Sequence, residues 1–184
     1  MNKLRLTLAC WDYDRVAALA SGEVRPDGID LVFLAQPVEE TFFRMLRHRE
    51  FDIAEMSLSS YTVSLAGQDP PFIAIPVFPS RVFRHGFIYV NTAAGIKAPK
   101  DLEGRRIGSF GYGQTAAVWI RGILKDEYGI DLSTVRWVEI GADPANSAPV
   151  RGKAPERRVP VPIEWIAEPA SMSAAERTAL AAVM

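Results

Sequence analysis

The chain has 184 residues, of which 48% are hydrophobic and 23% charged, and its formal net charge is −1. This composition is typical of a globular protein with one substantial domain, or with one domain and part of another. The charge gives no electrostatic basis for binding nucleic acid, and no apolar run reaches the length of a membrane span. We therefore expect neither a nucleic-acid partner nor insertion into a membrane.

The one cysteine, Cys10, excludes an intrachain disulfide and a cysteine-rich metal site. It ends an apolar run, which favours a buried structural thiol over a nucleophile. No cluster of His, Cys, Asp or Glu has metal-ligand spacing, so we predict no metal site and no cofactor. The first ten residues alternate too regularly for a secretory signal. We expect a cytoplasmic protein, or a periplasmic one if the sequence is a mature form.

Hydrophobic periodicity predicts alternating strands and helices in the first part of the chain. The predicted elements are a strand over 3–10, a short helix between Asp14 and Gly22, a strand over 29–34, a helix over 38–49, a strand over 51–58 and a short helix up to Gly67. In helix 38–49, acidic residues occupy the first turn and basic residues the last, which complements the helix dipole. Phe42, Met45 and Leu46 form its predicted buried face.

The same periodicity continues in the second part. It predicts strands over 72–78, 87–90, 106–110, 135–140 and 163–166, and helices over 115–128 and 173–184. Pro76 interrupts the first of these strands, which favours an edge position or a strand end. Gly129 is a typical helix stop. Residues 142–162 are rich in proline and charge and are predicted to form a loop.

Strands that alternate with helices indicate a largely parallel α/β sheet, in which ligands bind at the carboxyl ends of the strands. Polar residues gather at four such positions: Trp11–Tyr13, Ser57–Ser60, Ser80–Arg81 and Gly111–Gly113. The segment 101–124 is predicted to form a strand, a glycine-rich loop and a helix, an arrangement that can bind an anion at the helix N-terminus. A purely structural role for this segment is the alternative.

Several long runs carry a resemblance to a known family: residues 8–14, 25–31, 40–47, 51–61, 74–81, Arg84–His85 and 115–124. The chain resembles the 4,5-dihydroxyphthalate decarboxylase family and the solute-binding-like proteins grouped with it. The resemblance implies a type 2 periplasmic-binding fold, an α/β architecture of three layers in each of two lobes.

The resemblance also implies a domain organisation. Residues 1–84 are expected to form lobe one, 85–141 the opening part of lobe two, and 142–184 a proline-rich loop with an atypical tail. Members of the family are substantially longer than this chain. We therefore expect the second lobe to be incomplete, and a truncated product is one interpretation.

The resemblance implies a dihydroxylated aromatic dicarboxylate as the substrate, and a site for it requires cations, hydrogen-bond donors and an apolar wall. Arg81 and Arg84 are the candidates for carboxylate contacts, with solvated surface arginines as the alternative. The remaining candidates supply either hydroxyl or amide contacts to the substrate or its apolar wall: Trp11, Ser57, Ser59, Ser60, Tyr112, Gly113 and Thr115. Each serine has helix capping as its alternative. Trp119 is predicted to lie in the core, with the ligand wall as the alternative.

Decarboxylation leaves negative charge on a ring carbon, which must be protonated. His85 is the candidate acid, because histidine titrates near neutrality, and a hydrogen-bonded structural histidine is the alternative. Asp12 is the stronger candidate for positioning a catechol hydroxyl or taking its proton. Glu55 is the weaker one, because within a strand it could instead pair with a core arginine.

Two functions of different classes are open. The first, which the resemblance implies, is decarboxylation of an aromatic dicarboxylate. The alternative is a solute-binding protein for a small anionic or aromatic ligand, working with ABC-type uptake components. A non-functional fragment is a third interpretation, and the sequence leaves the oligomeric state open.

Overall fold

The computed structural model describes residues 2–109, 111–140 and 163–166. The described chain divides into two compact units, the first ending at Val82 and the second beginning at Phe83. We call them unit 1 and unit 2, and describe each by itself. Each contains a three-stranded parallel sheet, which confirms the predicted mixed α/β class.

Unit 1 alternates strands and helices as predicted. It contains β1 (Leu4–Cys10), a 3-10 turn (Asp14–Val16), α1 (Ala17–Ala20), β2 (Ile29–Ala35), α2 (Val38–His48), β3 (Ile53–Ala54) and α3 (Leu58–Ser64). The strand order is β2–β1–β3, with every pair parallel. β1 pairs with β2 along its whole length, from Leu4 opposite Ile29 to Cys10 opposite Ala35. The three strands therefore end at one edge of the sheet.

The core of unit 1 lies where β1 meets α2 and the start of β3. Ala9, Cys10 and Phe51 are buried there, which confirms the prediction of a buried Cys10. Thr41 is the fully buried residue of α2. The predicted buried face of that helix is only partly covered, since Phe42, Met45 and Leu46 keep some exposure.

The strand predicted over 72–78 is wrong, because these residues form no strand. The Val77 amide donates to the Ile75 carbonyl at 2.7 Å, a tight local turn that an extended strand cannot contain. Pro76 lies inside this turn and has no amide to give to a neighbouring strand. Ile73 is 95% exposed. Ser80 and Arg81 therefore do not follow a strand end.

Two further strand predictions differ from the structure. Residues 87–90 form no strand, and a 3-10 turn (His85–Phe87) occupies the start of that segment. The strand predicted over 51–58 is reduced to β3, since α3 already begins at Leu58. In both segments, local hydrogen bonding through turn or helix replaces the extended backbone that the apolar composition favours.

Unit 2 begins with three 3-10 turns, at His85–Phe87, Thr92–Ala94 and Pro99–Leu102. It continues with β4 (Arg106–Ser109), α4 (Thr115–Asp126), β5 (Arg136–Ile140) and β6 (Ile163–Ile166). The strand order is β4–β5–β6, all parallel. The predicted helix over 115–128 and the predicted strands over 106–110, 135–140 and 163–166 are thus confirmed. The predicted loop over 142–162 and helix over 173–184 lie outside the described residues.

The core of unit 2 is a cluster between α4 and β5. Its buried members are Leu102, Leu124, Ile130, Val135 and Trp137. After α4, Gly129 adopts a left-handed conformation with φ 63°, which suits a residue without a side chain. The chain turns back there, and the Ile130 amide donates to the Leu124 carbonyl at 3.0 Å. Gly129 thus ends the helix, as the sequence predicts.

Candidate active site

The polar group of unit 1 forms at the carboxyl ends of β1 and β3. The Glu55 amide donates to the Ala9 carbonyl at 2.9 Å, which continues the pairing of the two strands by one residue. Because β3 is short, Glu55 leaves the sheet directly beside the residues that follow β1. Its carboxylate therefore reaches the segment from Cys10 to Tyr13.

The Glu55 carboxylate receives three donors from that segment. The Tyr13 hydroxyl donates to Oε1 at 2.8 Å, and the Trp11 amide donates to Oε2 at 3.3 Å. The Cys10 thiol lies 3.6 Å from Oε2 and is a weak donor to it. These contacts fix the carboxylate and the tyrosine ring relative to the end of β1.

Burial and the Glu55 carboxylate keep both neighbouring acids protonated. Burial, and then the hydrogen bond to Glu55, raise the pKa of Tyr13 to about 12, against a smaller opposing effect of a hydrogen bond from Ser80. Burial is also the largest cause that raises the pKa of Cys10 to about 12, followed by the charge of Glu55. The cluster thus holds one carboxylate among protonated hydroxyl and thiol groups.

Three other predicted residues of unit 1 have exposed side chains. Asp12 and Trp11 are exposed, and Trp11 keeps 43% of its surface accessible. Arg81 is exposed as well, and no ion pair joins it to another described residue. The structure therefore leaves these three side chains accessible to a ligand.

The three serines occupy the start of α3. Ser57 is its N-cap residue, but its side chain makes no capping bond to the helix. Its hydroxyl is instead 3.1 Å from the Ser59 hydroxyl. Ser60 is buried, with 8% of its surface exposed. Ser57 and Ser59 thus form a pair at the strand edge, while Ser60 faces the interior of unit 1.

Arg84 and His85 belong to unit 2. The Arg84 guanidinium lies over the Phe87 ring, 5.0 Å from its centroid. His85 Nε2 is 2.9 Å from Glu127 Oε2, and both side chains are about half exposed. His85 also borders a mainly apolar pocket of about 240 Å³ that includes Ile88, Leu102 and Tyr128. The contact with Glu127 agrees with the alternative of a hydrogen-bonded histidine.

The glycine-rich loop before α4 is paired with a carboxylate of the chain itself. The Tyr112 amide donates to Glu139 Oε1, and Glu139 is buried within β5 at 4% exposure. The Tyr112 amide of this loop therefore already has an acceptor within the chain. Gly113 and Thr115 are partly buried and have contacts of their own. Their role toward a ligand stays a prediction.

Arg121 joins this loop to the core of unit 2. Its guanidinium donates to the Tyr112 carbonyl at 2.7 Å and stacks over the Tyr112 ring at 3.6 Å from the centroid. Trp137 packs edge-on against the same ring at 5.5 Å. Burial lowers the pKa of Arg121, while Tyr112 and Glu139 oppose that effect. The stack makes Tyr112 a structural contact as well as a candidate ligand contact.

The prediction that Trp119 lies in the core is wrong, since 56% of its surface is exposed. The buried residues of α4 are Ile123 and Leu124, and Trp119 projects away from the core that they enter. Sequence reasoning also missed Glu139. The feature that could have indicated Glu139 is an acidic residue in the middle of the apolar strand 135–140, because a buried charge needs a partner inside the protein.

No three His, Cys, Asp or Glu side chains come close enough to hold a metal ion among the residues that the structure describes. Within the same ranges, no helix combines the length and the apolar character that crossing a bilayer requires.

Parallel sheets with polar residues at the carboxyl ends of their strands define an α/β protein, a class in which ligands bind at that edge of the sheet. Residues 27–156 match the NMT1/THI5-like family. The chain belongs to this family, and its periplasmic-binding-like fold confirms the predicted fold class.

Two curated relatives confirm the resemblance that the sequence indicates. The chain is 48% identical over 157 residues to a 4,5-dihydroxyphthalate decarboxylase of Comamonas testosteroni, a match that covers 85% of this chain and 48% of the relative. It is 49% identical over 141 residues to the 4,5-dihydroxyphthalate decarboxylase of Pseudomonas putida, covering 77% of this chain and 55% of that relative. The chain thus spans about half the length of these relatives.

Proposed function

We propose that the protein is a decarboxylase of a dihydroxylated aromatic dicarboxylate, the reaction for which both relatives are named. The observation that carries this proposal is the sequence identity of 48% and 49% to these two relatives over most of the chain. Part of the proposal is that lobe one comprises residues 1–84 and the opening part of lobe two residues 85–141. We also place the enzyme in the cytoplasm.

The reaction sets requirements that the candidate residues can meet. The bond between the ring carbon and the departing carboxyl group breaks, carbon dioxide leaves, and the ring carbon takes up a proton. We assign carboxylate recognition to the accessible Arg81 and to Arg84, because guanidinium groups bind carboxylates in a bidentate manner. Trp11 supplies apolar surface, and the pair Ser57–Ser59 supplies hydroxyl contacts.

The proton donor to the ring carbon is assigned to His85, and Asp12 is assigned to a ring hydroxyl. A donor and an acceptor are both needed, because the carbon gains a proton while the hydroxyl must release electron density into the ring. The contact of His85 with Glu127 supplies a partner that orients the imidazole.

Turnover of 4,5-dihydroxyphthalate tests the proposal directly. We expect carbon dioxide and the decarboxylated dihydroxybenzoate to form in equal amounts. Arg81→Met is expected to lower kcat/KM by about 10- to 100-fold through loss of a charge-assisted contact. Arg47→Met, which removes an exposed charge from the last turn of α2, is the matched control. Absence of carbon dioxide from folded protein would contradict the proposal.

A solute-binding protein is the second candidate, and the periplasmic-binding-like fold of the family favours it. Its ligand would be a small anionic or aromatic molecule, its location the periplasm and its partners ABC-type uptake components. This function predicts a rise in Tm with 4,5-dihydroxyphthalate and no release of carbon dioxide.

A further inference from the structure

A pocket of about 240 Å³ lies in unit 2 at the C-terminal end of α4. Leu124, in the last turn of that helix, and Tyr128, just after it, form one side. The segment from His85 to Leu102 forms the other sides, mostly through apolar residues. We call this cavity the His85 pocket, after the residue that the proposed function makes the proton donor.

The floor of the His85 pocket belongs to the hydrophobic core of unit 2. Leu102 and Leu124 are 7% and 2% exposed and are members of that core, and the half-buried Ile88 and Ile96 pack against it. An apolar cavity of about 150 Å³ is sufficient to bind benzene, and pockets for drug-sized molecules begin at about 300 Å³. The volume of the pocket therefore suits one aromatic ring with its substituents.

The polar side chains that line the pocket are exposed: His85, Lys97 and Tyr128. Lys97 is held in place by its backbone, because its amide donates to Asp101 Oδ2 at 2.8 Å. The Asp101 carboxylate also accepts from the Ala98 amide, and no ion pair joins the Lys97 ammonium group to a described residue. A cation beside an apolar pocket suits an aromatic ligand that carries a carboxylate.

The pocket and the glycine-rich loop lie at opposite ends of α4. His85 Nε2 is 2.9 Å from Glu127 Oε2, and Glu127 is the C-cap residue of the helix, whereas the loop precedes its first residue, Thr115. A helix of 12 residues is about 18 Å long. A ligand with one ring therefore cannot contact His85 and the loop 111–113 at the same time.

We propose that the His85 pocket binds the aromatic ring of the substrate, and that Lys97 contacts one of its carboxylate groups. The proposal rests on the proposed function, in which His85 protonates a ring carbon. It places the ring against the aliphatic side chains of Ile88, Ile96 and Leu102, in the same pocket as that acid. It adds Lys97 as a specificity-determining residue.

The carboxylate that Lys97 contacts is the one that the product keeps. A departing carboxylate loses its negative charge as it becomes carbon dioxide, so a cation beside it would stabilise the ground state more than the transition state. The retained carboxylate keeps its charge throughout the reaction. A cation at that group therefore strengthens binding without opposing loss of carbon dioxide.

Filling the pocket tests the position of the ring. Ala98 lines the pocket at an exposed position, so Ala98→Phe should occupy the cavity without displacing the core. We expect kcat/KM for 4,5-dihydroxyphthalate to fall by about 10-fold or more, with an unchanged Tm. Ala94→Phe, at an exposed position outside the lining, is the matched control. A wild-type kcat/KM in Ala98→Phe would overturn the proposal.

Substitution of Lys97 tests the carboxylate contact. We expect Lys97→Met to raise KM by about 10- to 100-fold and to change kcat by less than about 3-fold, because the contact is equal in ground and transition states. Lys97→Arg keeps a positive charge and should recover most of this loss. Lys125→Met, at an exposed position of α4 outside the pocket, is the control. A wild-type KM in Lys97→Met, or equal losses in Lys97→Met and Lys97→Arg, would contradict the contact.

Methyl NMR locates the ring without any need for turnover. A bound aromatic ring shifts the signals of methyl groups that it contacts, so 4,5-dihydroxyphthalate should shift those of Ile88 and Ile96. Leu58, between Ser57 and Ser59 in unit 1, reports on the other candidate position. Shifts at Leu58 without shifts at Ile88 and Ile96 would overturn the proposal.

The same experiments separate failure of the pocket proposal from failure of the proposed function. Release of carbon dioxide without shifts at Ile88 and Ile96 would overturn the pocket proposal and leave the decarboxylase proposal standing. Shifts that Ala98→Phe abolishes, without release of carbon dioxide, would support the pocket as a ring-binding site and contradict the decarboxylase proposal. Absence of both would overturn both.

Discussion

At the scale of single residues, the neutral phenol of Tyr13 couples folding to alkaline pH. Its pKa is about 12 in the folded protein, against an ordinary value of 10.0. Between these values the unfolded chain binds fewer protons, so the free energy of unfolding falls as pH rises. Below pH 10 both states carry the proton and this effect is absent.

We expect Tyr13→Phe to remove this part of the alkaline loss. The difference in free energy of unfolding between wild type and variant should change between about pH 9 and about pH 11, in favour of the variant at the higher pH. Urea unfolding at both pH values measures it, with Tyr89→Phe as control. A pH-independent difference would show that Tyr13 titrates normally.

Cys10 gives a second test of the same cluster. It is 2% exposed, and burial together with the Glu55 charge raises its pKa to about 12. The thiolate is the reactive form, so alkylation of the folded protein near neutral pH should be at least about 10²-fold slower than alkylation in urea. Iodoacetamide labelling followed by mass spectrometry measures both rates. Equal rates would mean that the thiol is accessible and that its pKa is not raised.

The sequence predicts where the polar residues of unit 1 gather, but it does not predict the contact between Glu55 and Tyr13. Asp12 follows β1 directly and is exposed, and its assigned role stays a prediction. The sequence places Glu55 inside a strand over 51–58. Because β3 ends at Ala54, Glu55 leaves the sheet and meets Tyr13. A two-residue strand next to the central strand cannot be read from apolar periodicity, which does not report where pairing stops.

At the scale of elements, α2 ends at a residue whose backbone conformation is unfavourable for its type. Arg49 is the C-cap residue, with φ 52° and ψ 42°. This left-handed conformation brings the side chain close to the backbone, and glycine adopts it without that cost. We expect Arg49→Gly to raise the free energy of unfolding by about 0.5–1 kcal/mol, as urea unfolding would show.

The same substitution inside the helix should have the opposite sign. Arg47 lies in the last turn of α2, where glycine costs about 1 kcal/mol relative to a good helix former. Arg47→Gly is therefore expected to destabilise the protein, and the pair of variants separates conformation from loss of charge. Destabilisation by both variants would mean that the charge at the helix end outweighs the backbone strain.

The sequence predicts helices correctly where the amphipathic pattern extends over two or more helical turns. α2 and α4 carry two or more turns of amphipathic pattern together with dipole signals or a glycine stop, and the structure reproduces them. The segment 72–78 is apolar but has no sustained alternation, and a strand there needs a partner that the local sequence does not encode. Parallel pairing joins distant segments, so composition alone cannot establish it.

At the scale of the whole molecule, the two hydrophobic cores draw on separate stretches of chain. The buried members of the cluster around Leu124 lie between residues 102 and 137, all in unit 2. The buried residues Ala9, Thr41 and Phe51 all belong to unit 1. A cavity made in one core should therefore act first on the hydrogen bonds of its own unit.

Paired cavity variants test this separation. Leu124 is 2% exposed and Phe51 is 6% exposed, so Leu124→Ala and Phe51→Ala should each cost about 2–5 kcal/mol in the unit that contains them. Hydrogen exchange followed by mass spectrometry should show faster exchange in β5 and α4 for Leu124→Ala, and in β1 and α2 for Phe51→Ala. If either variant instead accelerated exchange equally in β1 and β5, the two cores would unfold as one cooperative body, because a shared opening gives every amide the same free energy.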